Sequence, residues 1–436
     1  MNASKIITFL KTYRRSKRLY KMSIQDPEKF RIWQESRRKK HMEIVLQKSA
    51  YYRSIEKIDG TFPITDKTLM MDHFDELNTV GISLQHAREI ALQSEVERDF
   101  TPKIGKISVG LSSGTTGNQG VFLISNDEIV QWSASVIAKL IHFKKFKRQK
   151  ITIAFFMRAN NNLYESINNP KMSIHFFDLL EPLADNLRLL DDLQPNIIVA
   201  QPSMLRLIAQ HYERQKRNYD LKEIYSIAEV LDPVDEAFIS EAMDAPVKQV
   251  YQATEGFLAV SCQYGNLHLN EDIVYIEKEY IDAEKRRFIP IITDLFRISQ
   301  PLIRYRLNDI LVEAREPCPC GTCFTTLEAI EGREDDCFAL NGRDGETVTL
   351  FADFIRYAII NASDKIIEYR AVQKLNGQIE VQLNVEADSF IQVQEKINEN
   401  FAELFIKYGA IPVKIHYQNR ILLSENRKMR RVEREK

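Results

Sequence analysis

The stretch Val109-Gly110-Leu111-Ser112-Ser113-Gly114-Thr115-Thr116-Gly117-Asn118-Gln119-Gly120 lies between Ile107 and the apolar run Val121-Phe122-Leu123-Ile124. Glycine admits backbone conformations that aim successive N–H groups at one anion, and the hydroxyls of Ser112, Ser113, Thr115 and Thr116 add donors that rotate to follow phosphate oxygens. The stretch reads as a polyphosphate loop. The plain alternative, a flexible Ser/Gly turn between two strands, has no use for so many hydroxyls. A second group, Tyr251-Gln252-Ala253-Thr254-Glu255-Gly256, ends a strand-like apolar run, where open α/β sheets place ligands. Tyr251 offers a face to a purine, Thr254 a hydroxyl to a phosphate oxygen, and Glu255 a carboxylate to Mg²⁺. A third group is sulfur-rich: Cys318-Pro319-Cys320-Gly321-Thr322-Cys323 puts three thiols on a tight turn, with Cys262 and His268 upstream. Thiolates with imidazole suit tetrahedral Zn²⁺; the alternative is a set of reduced, partly buried thiols.

These groups need a scaffold, and the chain has the length for one. Its 436 residues, 44% of them hydrophobic, are enough for substantial cores and more than one domain. Sixty Lys/Arg against 61 Asp/Glu leave a net charge of -1, which gives no reason to invoke nucleic acid. Basic residues crowd the start, however: residues 1–53 hold 15 Lys/Arg and 4 Asp/Glu. That arm reads as a solvated face or a contact with an acidic patch of the same fold. Residues 6–10 are too short an apolar run for a transmembrane segment or a signal sequence, and the basic cluster at 11–21 follows them, so a cytoplasmic protein is expected.

Apolar spacing predicts surface helices over 30–52, 67–77 and 84–94 and a strand over 103–109 entering the loop. Beyond it, a helix over 128–145 is followed by strands at 151–157, 173–177, 197–200, 225–228 and 247–251, with helices at 186–193, 203–212 and 233–243 separating several of them. Strands alternating with helices predict an α/β layer structure with mostly parallel pairing. From 267 to 312 successive strands predict a β-rich subdomain, and after 332–336 about a hundred residues of helix and hairpin predict a small α+β domain. The expected division is a large domain of several subdomains over 1–333, including the basic arm, and a C-terminal lid over 334–436.

Taken in order, the motifs resemble those of the adenylate-forming superfamily, in the branch of phenylacetate-CoA ligases and synthetases that adenylylate a deazaflavin coenzyme. The loop and Tyr251–Gly256 resemble its paired nucleotide motifs. Thr293-Asp294-Leu295 with Pro301-Leu302-Ile303-Arg304-Tyr305-Arg306-Leu307-Asn308-Asp309 resembles its ribose-binding segment, whose aspartate is Asp309 here. Gly332-Arg333-Glu334-Asp335-Asp336 resembles its hinge, and Ala228-Glu229-Val230 occupies the place of the strand end lining the adenine. The resemblance implies that Arg333 reaches the nucleotide, that Asp335 is the pivot, and that Lys428, in Arg427-Lys428-Met429-Arg430-Arg431-Val432, swings in to bridge the reacting oxygens. A frayed basic tail is the rival reading of Lys428. It further implies a structural Zn²⁺ on Cys262, His268, Cys318 and Cys320, leaving Cys323 spare, and an acyl pocket near Arg158-Ala159-Asn160-Asn161-Asn162-Leu163-Tyr164, with Arg158 toward the substrate carboxylate and Tyr164 shaping the cavity.

The implied activity is ATP- and Mg²⁺-dependent conversion of a carboxylic acid, aromatic or acyl, to an acyl-adenylate and pyrophosphate. The chain departs from the family in two places. Asn118-Gln119-Gly120 brings no cation to the β,γ-phosphates, and Asn341-Gly342-Arg343-Asp344-Gly345-Glu346 replaces the segment associated with thioester formation. The acceptor therefore stays open between CoA, an acyl-carrier protein and none, as does a homodimer. Two rivals also stand: AMP transfer to a coenzyme hydroxyl, and a nucleotide-binding scaffold without turnover.

Overall fold

The computed structural model describes residues 3–55, 61–97, 102–111, 119–141, 149–157, 170–179, 181–215, 220–282, 284–334, 337–363, 365–421 and 430–435. The chain separates into two compact units, one of residues 1–228, 239–307 and 313–328, the other of residues 229–238, 308–312 and 329–436. Among the described residues no helix is long and apolar enough to cross a membrane.

The first unit begins with the basic arm, α1 (Ala3–Gln25) and α2 (Pro27–Lys48). Asp26 accepts the Lys29 N–H at 3.0 Å and Pro27 fixes the first turn, so α2 starts where sequence chemistry allows. The arm is docked as well as solvated. Leu19 and Phe30 form a small core with Phe324, the two phenylalanine rings 5.1 Å apart, and the guanidiniums of Arg15 and Arg37 lie 3.7 and 4.4 Å from the centre of the Phe296 ring. Burial lowers Arg15 to a pKa of about 10 despite the opposing charges of Asp272 and Asp294. Arg14, Arg18 and Lys21 point to solvent.

His41 of α2 is fully buried, and neither ring nitrogen has a hydrogen-bond partner among the described residues. Burial, with repulsion from Arg37, lowers its pKa to about 4; only Glu128 opposes the shift. The fold therefore holds the neutral ring. As pH falls through the ordinary histidine value near 6.5, the unfolded chain gains a proton that the folded chain refuses until pH 4. Stability should drop by about 3 kcal/mol across that window, and His41→Leu should remove that share of the drop. Urea midpoints at pH 7 and pH 4.5 measure both; a variant as acid-sensitive as the parent would contradict this.

Short helices α3 (Ala50–Ser54), α4 (Lys67–Asp72) and α5 (Phe74–Leu77) and the longer α6 (Leu84–Glu97) follow. The strand expected over 103–109 is instead a hairpin. β1 (Lys103–Ile104) turns at Gly105, φ +62°, into β2 (Ile107–Leu111), which pairs antiparallel with β3 (Val121–Ser125). The missed signal was the glycine at a position needing positive φ. α7 (Asn126–Leu140) starts at a capping box in which Ser125 and Glu128 bond each other's backbone.

The expected parallel layer is present. β4 (Ile151–Met157), β5 (Met172–Asp178), β6 (Ile197–Ala200), β7 (Glu223–Ile227) and β8 (Val247–Ala253) lie in the order 5-4-6-7-8, every neighbour parallel. Strands buried on both faces read as continuous apolar runs, which is how 151–157 reads. β9 (Gly256–Ser261) and β10 (Leu267–Leu269) continue the sheet antiparallel. β11 (Val274–Tyr280) and β12 (Arg287–Asp294) form the long antiparallel pair of the β-rich region.

In the second unit, the helices Ala352–Ile360 and Phe390–Tyr408 pack on a four-stranded sheet whose central hairpin, Glu368–Gln373 with Ile379–Asn384, turns at Gly377. Parallel edge strands Ile415–Gln418 and Val432–Arg434 complete it. The fold is α/β, with one large mixed sheet and smaller ones.

Candidate functional site

The β8–β9 turn consists of Thr254 and Glu255, at the carboxyl end of the parallel layer. Tyr251 is buried, and a register shift after it displaces the end of β8 relative to β9. Thr254 is exposed and Glu255 half-buried. The Tyr305 hydroxyl donates to Glu255 Oε1 at 3.3 Å; burial and the Glu255 charge raise the phenol's pKa well above its ordinary value, so it stays a donor to the carboxylate. At the end of β7, Ala228 has φ +65°. A non-glycine residue held there is strained, a feature that concentrates at ligand sites.

In the second unit, Arg333 Nε stands 3.9 Å from Asp309 Oδ1, and the Glu334 N–H donates to Asn308 O at 2.7 Å. The expected ribose carboxylate and hinge arginine are thus neighbours. Glu229 belongs to this unit too, half-buried, in a segment whose Asp232 accepts the Tyr369 hydroxyl at 2.6 Å and whose Asp235 takes a bidentate bond from Arg431 at 2.8 and 2.7 Å. Ser112, Ser113, Gly114, Thr115, Thr116, Gly117, Arg158, Tyr164, Asp335 and Lys428 lie outside the described residues.

Four ligand atoms of Cys262, His268, Cys318 and Cys320 lie within 4.8 Å of one another. Their spacing can be tested against a zinc shell. Metal–sulfur bonds of about 2.3 Å and metal–nitrogen bonds of about 2.05 Å at tetrahedral angles require S···S of about 3.8 Å and S···N of about 3.6 Å. Cys262 Sγ and Cys318 Sγ are 3.7 Å apart, and Cys320 Sγ is 3.4 Å from His268 Nε2. His268 Nδ1 faces Phe324 O at 3.3 Å, an arrangement that leaves Nε2 free for a metal. Sulfur also accepts hydrogen bonds here, from Tyr264 N on Cys262 at 3.3 Å and Asn266 Nδ2 on Cys318 at 3.2 Å. Burial raises Cys262 to a pKa of about 12; at Cys318 burial acts the same way, but donors from Cys320 N and Asn266 outweigh it and lower the thiol. The donor set fits zinc. Gly321, φ +76°, closes the turn, and the Cys323 N–H donates to Ser23 O of α1 at 3.0 Å, so Cys323 faces the arm and lies outside the four.

Tyr305, Arg297, Gln300 and Glu128 were not singled out from the sequence as site residues. Tyr305 could have been: it sits within the ribose-like segment, and a phenol is an obvious partner for a carboxylate.

No protein-family model matches the chain. It is 21% identical over 398 residues, covering 82% of each chain, to a phenylacetate-coenzyme A ligase from Thermus thermophilus. Its fold is that of 2-hydroxyisobutyryl-CoA ligase in complex with 2-HIB-AMP in the postadenylation state, with a TM-score of 0.67, 16% identity, and coverage of 92% of this chain and 88% of that one. An open conformation of the same ligase with 2-HIB-AMP and CoA gives a TM-score of 0.57 at 17% identity, over 91% and 89%. The ordered motifs, the similarity across most of both chains and the shared architecture point the same way: the chain is similar to the adenylate-forming enzymes that include the acid–CoA ligases and shares their fold.

Proposed function

We propose that the protein uses ATP to convert a carboxylic acid to an acyl-adenylate with release of pyrophosphate, and then passes the acyl group to a thiol. The observation that carries this reading is the Thr254–Glu255 turn with Tyr305 bonded to its carboxylate, at the end of the layer where such folds bind nucleotides. Glu255 would hold Mg²⁺, which when bound supplies positive charge against the phosphate oxygens. Tyr305 orients that carboxylate, and the Thr254 hydroxyl is free to donate to a phosphate oxygen. Tyr251 and Ala228 would border the base, with Glu229 beside it. Asp309 would accept both ribose hydroxyls, and Arg333, already beside it, would reach the nucleotide. The hydroxyls of Ser112, Ser113, Thr115 and Thr116, with glycines Gly114 and Gly117, would hold the departing pyrophosphate. Residues 334–436 act as a lid turning about Asp335, which brings Lys428 to the reacting oxygens. Arg158 would pair with the acid's carboxylate and Tyr164 would shape its cavity.

The attack itself needs little covalent help. As the carboxylate oxygen bonds to the α-phosphorus and the pyrophosphate oxygen leaves, charge shifts onto phosphoryl oxygens, so catalysis is alignment plus fixed positive charge. CoA is the favoured acceptor because the curated relative is a CoA ligase and the structural neighbour is captured with CoA. Zn²⁺ on the Cys/His set would be structural: Cys262, Cys318, Cys320 and His268 would hold it as three thiolates and an imidazole, leaving no position for chemistry.

An acid panel tests the reading. One aromatic or aliphatic acid is expected to drive ATP/pyrophosphate exchange at least tenfold above the acid-free rate, with net pyrophosphate release accelerating when CoA is added. Exchange driven by a phenolic coenzyme and by no acid would replace it with AMP transfer, and no exchange with any would leave a nucleotide-binding scaffold.

A further inference from the structure

Between β12 and the Pro301–Asp309 segment runs a short stretch, residues 294–300, bonded to three separate parts of the first unit. Arg297, 7% exposed, donates through Nη1 to Thr254 O at 3.3 Å and Glu255 O at 3.4 Å, and through Nη2 to Leu123 O at 3.2 Å and Gln300 Oε1 at 3.3 Å. Gln300, fully buried, accepts the Leu123 N–H at 2.9 Å and donates to Val121 O at 3.1 Å. One planar cation and one amide therefore tie the Thr254–Glu255 turn to β3, the strand that follows the hydroxyl-rich loop.

The stretch is itself fixed. Asp294 Oδ1 accepts the N–H groups of Phe296 and Arg297 at 2.7 and 2.8 Å, and Glu128 at the start of α7 accepts those of Ile298 and Ser299 at 2.5 and 2.8 Å. Arg15 and Arg37 of the arm lie against Phe296. Burying a guanidinium costs desolvation that carbonyl oxygens offset only when several are met at once, and no lysine presents that fork. Both carbonyls of the turn lean on it.

We propose that Arg297, seconded by Gln300, is a positioning residue: it sets the distance between the Glu255 carboxylate and the phosphate-loop strand, and so the place of the metal–phosphate unit relative to the acid. The inference rests on the adenylation reading of this site. Because misplacement of about 1 Å can cost on the order of 100-fold in rate, Arg297→Lys should lower kcat for ATP/pyrophosphate exchange by about that factor. The acid's KM should stay within about twofold, since the bonds of Arg297 go to the Thr254–Glu255 turn, β3 and Gln300, while the Mg²⁺ concentration for half-maximal rate rises several-fold. Arg297→Ala should regain part of its activity in low-millimolar guanidinium. Gln300→Met, which cuts the bonds to β3 and the one from Arg297 Nη2 but leaves the bonds of Arg297 to the turn and to Leu123 O in place, should shift Mg²⁺ half-saturation in the same direction and serves if the arginine variants do not fold.

Variants with lowered thermal stability but parental kcat and Mg²⁺ half-saturation would make Arg297 a packing residue and overturn the proposal. Parent protein that binds no Mg-ATP in calorimetry would sink the adenylation reading and this inference with it. Parent protein that binds and exchanges, beside variants with unchanged kcat and metal response, would sink the inference alone.

Discussion

Lys428→Ala should lower the rate of adenylate formation about 100- to 1,000-fold, with ATP affinity held within about twofold. The size follows from how few cations the chain can bring to the phosphates. Residues 118–120 are Asn-Gln-Gly, so the loop proposed to meet the β,γ-phosphates would contribute hydroxyls and amides only. On the proposed reading, positive charge on the reacting oxygens comes mainly from Mg²⁺ and from Lys428. Such a lysine acts on charge that grows during the transfer, so its loss is felt in the transition state far more than in the bound nucleotide. The chain just beyond it is firmly held. Arg431, three residues on, is buried; Asp235 and Glu368 outweigh its burial and raise its pKa above the ordinary value, and Nη1 donates to Tyr369 O at 2.9 Å. That anchoring, followed by the strand Val432–Arg434, is unlike a frayed tail. Single-turnover acyl-adenylate formation with equilibrium ATP binding separates the outcomes: parental turnover in Lys428→Ala would return the tail to an ordinary basic terminus.

How much of this was legible beforehand differs by element. The parallel layer was, because strands covered on both faces must be apolar throughout, and 151–157 and 197–200 leave no other reading. The zinc-fitting set was legible in its membership, since thiols and imidazole are scarce and their chemistry narrow. What escaped was whatever depends on pairing between distant residues. Asp232 and Asp235 stand at a helix start, where acids are common; the structure buries both against Tyr369 and Arg431, and places residues 229–238 in the second unit. Nothing local marks an aspartate for a partner almost two hundred residues away. Arg297 was hidden for the same reason: three of its four acceptors are backbone carbonyls, which every residue carries. The turn at Gly105 was a different failure, one of local chemistry passed over, for a positive-φ glycine splits a strand into a hairpin.

Removing the sulfur ligands should have the second large effect, and on stability instead of rate. Purified protein is expected to carry one zinc per chain, and Cys262→Ser or Cys318→Ser should lose it and melt about 5 °C lower, the shift expected when a domain of this size loses a few kcal/mol. The consequence should concentrate at the arm. The cysteine turn holds α1 directly: Ser23 Oγ and Thr322 Oγ1 share a hydrogen bond at 2.6 Å, the Cys323 N–H donates to Ser23 O, and Phe324 of the same turn packs on Leu19 and Phe30. A Cβ on Gly321 would stand 3.6 Å from Ile24, at ordinary van der Waals distance, so turn and helix already lie close together. Without a metal, three sulfurs crowded at such distances must stay protonated or separate, and either change moves the surface on which α1 rests. Limited trypsinolysis reads this directly, because the arm is rich in lysine and arginine. Chelated protein and the cysteine variants should be cut within residues 1–53 first, while intact protein resists, and adding zinc back should restore resistance in the chelated parent alone. A metal-free parent preparation whose arm resists trypsin equally well would show that the three cysteines are reduced thiols, packed with His268 beneath the arm.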